Sequence, residues 1–186
     1  MSTVHAPSEL RGRLVAAVAW HGDRWDEHSR ADLTGWWRDP VLLRDLTLAL
    51  ADLFRGDGPT VVLGLQSRGV LLGALVAQEL GVGLVEVRKH PAPAADSDEW
   101  VTETTPPDYR DRHLSLGYRR PLISASDRMV LVDDWVDTGG QALGTQRLVA
   151  ASRASWLGLA VVVDALDNHR IRRELGVRSL LHGRDL

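Results

Sequence analysis

Two adjacent carboxylates, Asp133 and Asp134, close an unbroken apolar run, Met129-Val130-Leu131-Val132, and the turn Asp137-Thr138-Gly139-Gly140-Gln141 then opens a segment with apolar periodicity. Paired carboxylates at such a position can grip a diol or a hydrated Mg²⁺. The glycines let backbone N–H groups converge on an anion, and a helix starting just beyond adds about half a positive charge at its N-terminus. Acids for hydroxyls beside a turn for a phosphate make chemistry for a phosphorylated sugar. Two further groups are candidates to meet negative charge: Gln66-Ser67-Arg68-Gly69 and Arg88-Lys89.

These side chains need strands that end where they begin. The run 129–132 suits a parallel strand buried on both faces, whose carboxyl end is where open α/β sheets bind ligands. TVVLGL, residues 60–65, predicts a second buried strand that leads through Gln66–Gly69 into a helix over 70–80 closed by Gly81. Residues 84–87 form a short strand with Arg88 and Lys89 at its end. HLSLGY, 113–118, alternates as a strand, 156–163 is a buried strand ending at Asp164, and 177–181 is the last. Helices are predicted over 8–20, from Asp39-Pro40 to about Phe54 with Gly56 after it, over 141–151 and near 168–175. The stretch 21–37, with Trp25, Trp36 and Trp37, lacks a period and reads as a packed loop. Residues 90–112 lack one too, and a stretch of that length without structure is disordered or a functional lid. Strands alternating with helices predict an α/β, doubly wound parallel sheet in a single domain, 1–186.

With 186 residues, 44% hydrophobic and 25% charged, the chain has the balance of one globular domain. A net charge of −3 gives no electrostatic reason to expect nucleic-acid or membrane partners, so any anion site is local. The absence of cysteine excludes disulfides and thiolate metal sites. No signal-peptide pattern is visible, and no apolar run reaches the roughly 18 residues of a membrane span, so the expected setting is cytoplasmic.

The motif 129–141 and the stretch 64–89 (GLQSRGVLLGALVAQELGVGLVEVRK) resemble the type I phosphoribosyltransferases, the adenine phosphoribosyltransferases above all. The resemblance implies that fold, with a small N-terminal hood over residues 1–38, a core over 39–186 and a flexible lid over 90–112. It implies transfer of a 5-phosphoribosyl group from 5-phosphoribosyl-1-pyrophosphate (PRPP) to a nitrogen heterocycle, purine-like, with release of pyrophosphate, Mg²⁺ as cofactor and a homodimer as the expected assembly. Asp133 and Asp134 would hold the ribose hydroxyls, directly or through the metal. Asp137, Thr138, Gly139, Gly140 and Gln141 would wrap the 5-phosphate; Gln141 stands where the family has a hydroxyl. Gln66, Ser67, Arg68, Gly69, Arg88 and Lys89 would meet the pyrophosphate, with a non-proline cis peptide before Ser67.

Adenine enzymes carry a glutamate where this chain has Gly117, in Ser115-Leu116-Gly117-Tyr118, so proton acceptance falls to Asp137, with Arg68 on the leaving group. Trp36 and Trp37 are candidates to stack a base. Asp164 stands near where oxopurine enzymes have a lysine, and a carboxylate cannot donate to a carbonyl, which disfavours a 6-oxopurine. Two alternatives remain open from these residues: a non-catalytic PRPP or nucleotide sensor, and a divergent enzyme using another acceptor.

Overall fold

The computed structural model describes residues 7–21, 30–90, 99–106 and 113–186. In chain order the elements are α1 (Pro7–Ala16), β1 (Ala19–His21), β2 (Arg30–Asp32), α2 (Gly35–Arg38), α3 (Pro40–Asp52), β3 (Val61–Leu65), α4 (Arg68–Leu80), β4 (Gly83–Lys89), β5 (Trp100–Thr104), β6 (Ser115–Arg119), β7 (Arg128–Val136), α5 (Gly140–Ala151), β8 (Ser155–Asp164), α6 (His169–Leu175) and β9 (Val177–His182).

Seven strands form one sheet in the order β5-β6-β4-β3-β7-β8-β9. From β4 to β9 the neighbours β4-β3-β7-β8-β9 are parallel, while β6 runs antiparallel to β4 and to β5. After β3 the chain first builds outward through β4, then returns to place β7 on the other side. The order therefore reverses between β3 and β7, and the crevice at a reversal, outside the carboxyl ends, is where such sheets take ligands.

Strict alternation of buried residues explains the unbroken apolar runs. Val130 and Val132 of β7, with Ala160 and Val162 of β8, pack under Leu46, Leu50, Leu72 and Val76 of α3 and α4. Met129, Leu131, Leu159 and Val161 pack on the other face with Leu148, Val149 and Leu175 of α5 and α6. A strand covered on both faces has no polar side to show. Asp39 caps α3 as its sequence indicates, accepting from the N–H groups of Val41 (2.9 Å) and Leu42 (3.1 Å), with Pro40 in the first turn.

Four expectations are corrected. The first helix ends at Ala16, and Trp20 belongs instead to β1, which pairs with β2. Residues 21–37 are therefore not a plain loop: they contain β2 and α2, while 22–29, with Trp25, lie outside the described residues. Helix α3 gives way at Leu53 to a 3-10 turn, Arg55–Asp57, and the left-handed glycine is Gly58 (φ 60°), not Gly56. The segment 90–112 is interrupted by β5, an edge strand paired along its length with β6. Residues 91–98 and 107–112, on which the rest of the lid expectation falls, lie outside the described residues.

Candidate active site

Because neighbours on a strand face opposite ways, Asp133 and Asp134 leave the end of β7 on different sides. Asp133 is half buried, and its Oδ1 accepts the backbone N–H of Asp134 at 2.9 Å. Asp134 is 5% exposed. Its Oδ2 lies 2.7 Å from Arg68 Nε, yet no N–H is aligned on it, so this buried oxygen is charge-paired without a hydrogen bond. Burial in crowded surroundings pushes the Asp133 carboxyl well above the usual range, and the charge of Asp134 pushes the same way.

Arg68 opens α4 directly after the end of β3, and Gln66–Ser67 is a cis peptide. Gln66 ties this turn to β4: its N–H donates to Val87 O at 3.0 Å, and its Oε1 accepts the N–H of Lys89 at 3.0 Å. The side-chain amide of Gln66 is thus left with its N–H₂ to donate. Gly69 is the close approach. A Cβ there would lie 2.9 Å from Asp133 Oδ1 and 2.9 Å from Val132 O, so only glycine lets the first turn of α4 sit against the acid pair.

The second turn runs from Asp137 into α5. Gly139 has φ 77°, and a Cβ on it would meet Ile171 Cγ2 at 2.8 Å, so both its backbone and its packing against α6 exclude a side chain. Burial first, then the negative charge of Asp167, raises the Asp137 carboxyl above its ordinary value. A carboxylate raised in this way is a better proton acceptor at neutral pH.

Two cavities open along this edge of the sheet. One, of about 480 Å³, brings Gln66, Ser67 and Arg68 together with Asp133, Asp134 and Asp137. The other, of about 370 Å³, is lined by the turn from Asp137 to Ala142. Lys89, Asp133, Trp135, Asp137 and Gln141 line both. Arg88 is not among their lining residues: it lies over the ring of Trp100, 5.7 Å from its centroid, and its Nε donates to Glu86 Oε2 at 2.7 Å. The period of β4 separates it from Lys89.

No cluster of three or more His, Cys, Asp or Glu side chains suited to a metal occurs among the described residues. The donor set at the end of β7 nonetheless fits Mg²⁺, which binds through one or two carboxylates and takes its other ligands from substrate oxygens and water. The buried Asp134 oxygen without a hydrogen bond is in keeping with that use.

Several features lie outside what sequence reasoning found. Trp135, between the acids and the turn, lines both cavities; its place on the strand was readable, but its partial exposure was not. From the N-terminal region, Ala31 and Leu33 line the larger of the two cavities. Trp36 is fully buried, its indole N–H donating to Leu14 O at 2.9 Å, and Trp37 packs edge-on against it, so neither lines the cavities. Asp164 is no open reader of a base, because Arg172 holds it through Nε at 2.6 Å. The inference against a 6-oxopurine loses its premise there.

A crevice at a strand reversal, with acids on one lip and an Arg-bearing turn on the other, is a setting suited to phosphorylated-sugar chemistry. Residues 39–177 match the phosphoribosyl transferase domain family. The chain is 34% identical over 133 residues to adenine phosphoribosyltransferase of a Synechococcus strain, covering 72% of this chain and 75% of that one. It is 31% identical over 142 residues to xanthine phosphoribosyltransferase of Geobacillus thermodenitrificans, covering 75% and 73%. Among solved structures, adenine phosphoribosyltransferase from Rhodothermus marinus superposes with a TM-score of 0.80 at 27% identity, covering 94% of this chain and 99% of that one. The Saccharomyces cerevisiae enzyme, solved with an imino-altritol bisphosphate and adenine, gives 0.75 at 27%, with the same coverage. The chain belongs to the phosphoribosyltransferase family, closest in kind to its adenine-type members.

Proposed function

We propose that this protein catalyses Mg²⁺-dependent transfer of the 5-phosphoribosyl group from PRPP to a purine base, releasing pyrophosphate. The observation that carries the reading is the shared cavity: Arg68 from the end of β3 and the acid pair from the end of β7 face one space at the reversal of the sheet.

The bond from C1 of the ribose to pyrophosphate breaks as a ring nitrogen attacks, through a centre with oxocarbenium character. Such a step needs no covalent nucleophile from the protein; it needs placement, a stabilised leaving group and exclusion of water. Asp133 and Asp134 orient the sugar hydroxyls. Bound Mg²⁺ would offset charge on the leaving group, with these two acids holding it directly or through the hydroxyls. The turn from Asp137 to Gln141 takes the 5-phosphate on its backbone N–H groups, with the Gln141 amide as a further donor. Gln66 N–H₂, Ser67, Arg68, Gly69 and Lys89 receive the pyrophosphate. Arg88, turned to Glu86 and Trp100, is left with a supporting role in holding the strand end.

Without substrate, Arg68 rests on Asp134. Pyrophosphate, with more charge and better acceptor geometry, draws the guanidinium away, and the carboxylate is freed for the sugar or metal at the same moment. Asp137 accepts or shares the proton of the acceptor ring, and Trp135 supplies a flat apolar wall beside it. No helix among the described residues is long and apolar enough to cross a membrane. A cytoplasmic homodimer is the setting that resemblance to the family supports, and sedimentation at micromolar concentration tests the dimer.

The direct test is incubation with PRPP, Mg²⁺ and a panel of bases, following pyrophosphate and nucleotide together. Both products appear in equal amount only with a base present if the reading holds. PRPP binding without release would make the protein a sensor, and release without a base would make it a hydrolase; either overturns the reading.

A further inference from the structure

The sheet loses a strand where the site begins. Strands β3 and β4 pair in parallel as far as Leu65 opposite Val87, and beyond that point β3 turns away into α4. Strand β4 continues through Arg88 and Lys89, which pair on its other side with Gly117 and Leu116 of β6. A parallel ladder carried one step further would draw a donor and an acceptor from the departing strand. The donor is main chain, Gln66 N–H to Val87 O at 3.0 Å. The acceptor is not. Where the ladder would use the main-chain carbonyl of Gln66, the N–H of Lys89 goes to the side-chain Oε1 of Gln66, at 3.0 Å.

That one side-chain atom bears on how Lys89 is held. Lys89 is half buried and shares the strand face of Val85 and Val87, which belong to the core beneath α5. Its side chain lines both cavities of the site, one of them together with Arg68, and its charge acts on Asp133. Arg88 cannot take over, because its guanidinium is held by Glu86 over the ring of Trp100. A side chain at position 66 without an acceptor would leave the Lys89 N–H unpaired at a half-buried strand end, a cost relieved when the strand end peels away. Glutamate keeps an acceptor within the same reach. Methionine keeps the reach and puts at best a methyl group where the oxygen stands.

We propose that Gln66 is a positioning residue for the transfer: its side-chain oxygen stands in for a main-chain carbonyl and fixes Lys89 on the cavity it shares with Arg68, where the two cations receive the pyrophosphate together. This rests on the phosphoribosyl-transfer reading of that cavity. Released from Gln66, Lys89 keeps its charge and loses its place. The lysine is then still present in the chain but contributes little to holding the leaving group, since a charge-assisted contact depends on geometry as well as on charge.

Two readouts test it. Amide hydrogen exchange follows the Lys89 N–H in the unaltered protein, in Gln66→Met and in Gln66→Glu. Protection should persist with glutamate and fall by about tenfold or more with methionine, while Val85 and Val87 in the body of β4 exchange as before. Titration calorimetry with pyrophosphate and Mg²⁺ then measures the effect of Lys89→Ala in two backgrounds. It should weaken pyrophosphate binding by about tenfold in the unaltered protein, and by about threefold or less in Gln66→Met, where the lysine has already lost its place. A general loss of stability would leave the two ratios equal. Equal ratios would overturn the proposal with phosphoribosyl transfer intact, as would a Lys89 N–H equally protected in all three proteins or unprotected with glutamate as with methionine. Failure of the unaltered protein to bind pyrophosphate would overturn the transfer reading itself, a different failure.

Discussion

At the level of single residues, the site works by withholding partners. Asp134 keeps a buried oxygen without a hydrogen bond, at a cost of roughly 1–3 kcal/mol by the usual desolvation of an unpaired polar atom, offset by the nearby Arg68 charge. Replacing both acids, Asp133→Asn with Asp134→Asn, is expected to weaken PRPP binding by about a hundredfold or more, since two charge-assisted contacts are lost; titration calorimetry with Mg²⁺ and PRPP checks this, and unchanged affinity would remove the sugar from that position. Asp137 carries a second prediction. It accepts a proton only when ionised, so activity rises as pH increases through its raised pKa, and the acid limb of kcat/KM lies above the ordinary aspartate value. Asp167→Asn removes one of the two causes of that elevation and moves the limb to lower pH, while desolvation keeps it from falling all the way. A limb that does not move would separate Asp137 from the proton transfer.

At the level of elements, the decisive contact is α4 against the end of β7. Gly69→Ala places a methyl group 2.9 Å from both Asp133 Oδ1 and the Val132 carbonyl, and the backbone atom cannot yield as a side-chain tip would. The helix must move back, carrying Arg68 with it. We expect a loss of about 1–3 kcal/mol in stability, as for other overpacked positions, and a rise in KM for PRPP larger than that for the base. A variant as stable and active as the parent would show that the turn approaches less closely in solution. Strand β7 shows how far local pattern reaches: its apolar run and acidic end were legible because burial on both faces leaves a strong trace. Strand β5 was not, because Trp100–Thr104 is an edge strand whose partner, β6, is set by the sheet and not by its own composition.

Over the whole molecule, charged groups fall into two sets with opposite effects. Asp57, Asp127 and Asp185 have carboxyls held below their ordinary value, Asp57 chiefly by Arg178, Asp127 by the N–H of Ser124 and Asp185 by the N–H of His182. Their folded pKa lies below the unfolded one, so their contribution is fully present above the unfolded value, about 3.8, and is lost as pH falls through the depressed folded values. Asp133 and Asp137 are shifted upward, so they cost stability at neutral pH and are relieved as the medium becomes mildly acidic. Thermal melting should therefore peak on the acid side of neutrality and fall steeply below about pH 4; a curve that declines steadily from pH 7 downward would mean that the site acids are not strained.

The amino-acid sequence by itself determined the strands of the parallel core, the glycines of the two site turns, the cap at Asp39 and the family, because each rests on nearest neighbours and on a periodicity that burial imposes. It also carried the candidate acids and Arg68, which stand at strand ends where chain order alone puts them. Tertiary structure decided what each polar group is free to do. Arg172 claims Asp164 across a loop, Trp36 vanishes beneath α1, Arg88 turns away from Lys89, and Trp135 emerges beside the acid pair. Those outcomes depend on partners distant in the chain or on which face of an element meets solvent, and hydrogen-bonding capacity is spent between elements that only the packed fold brings together.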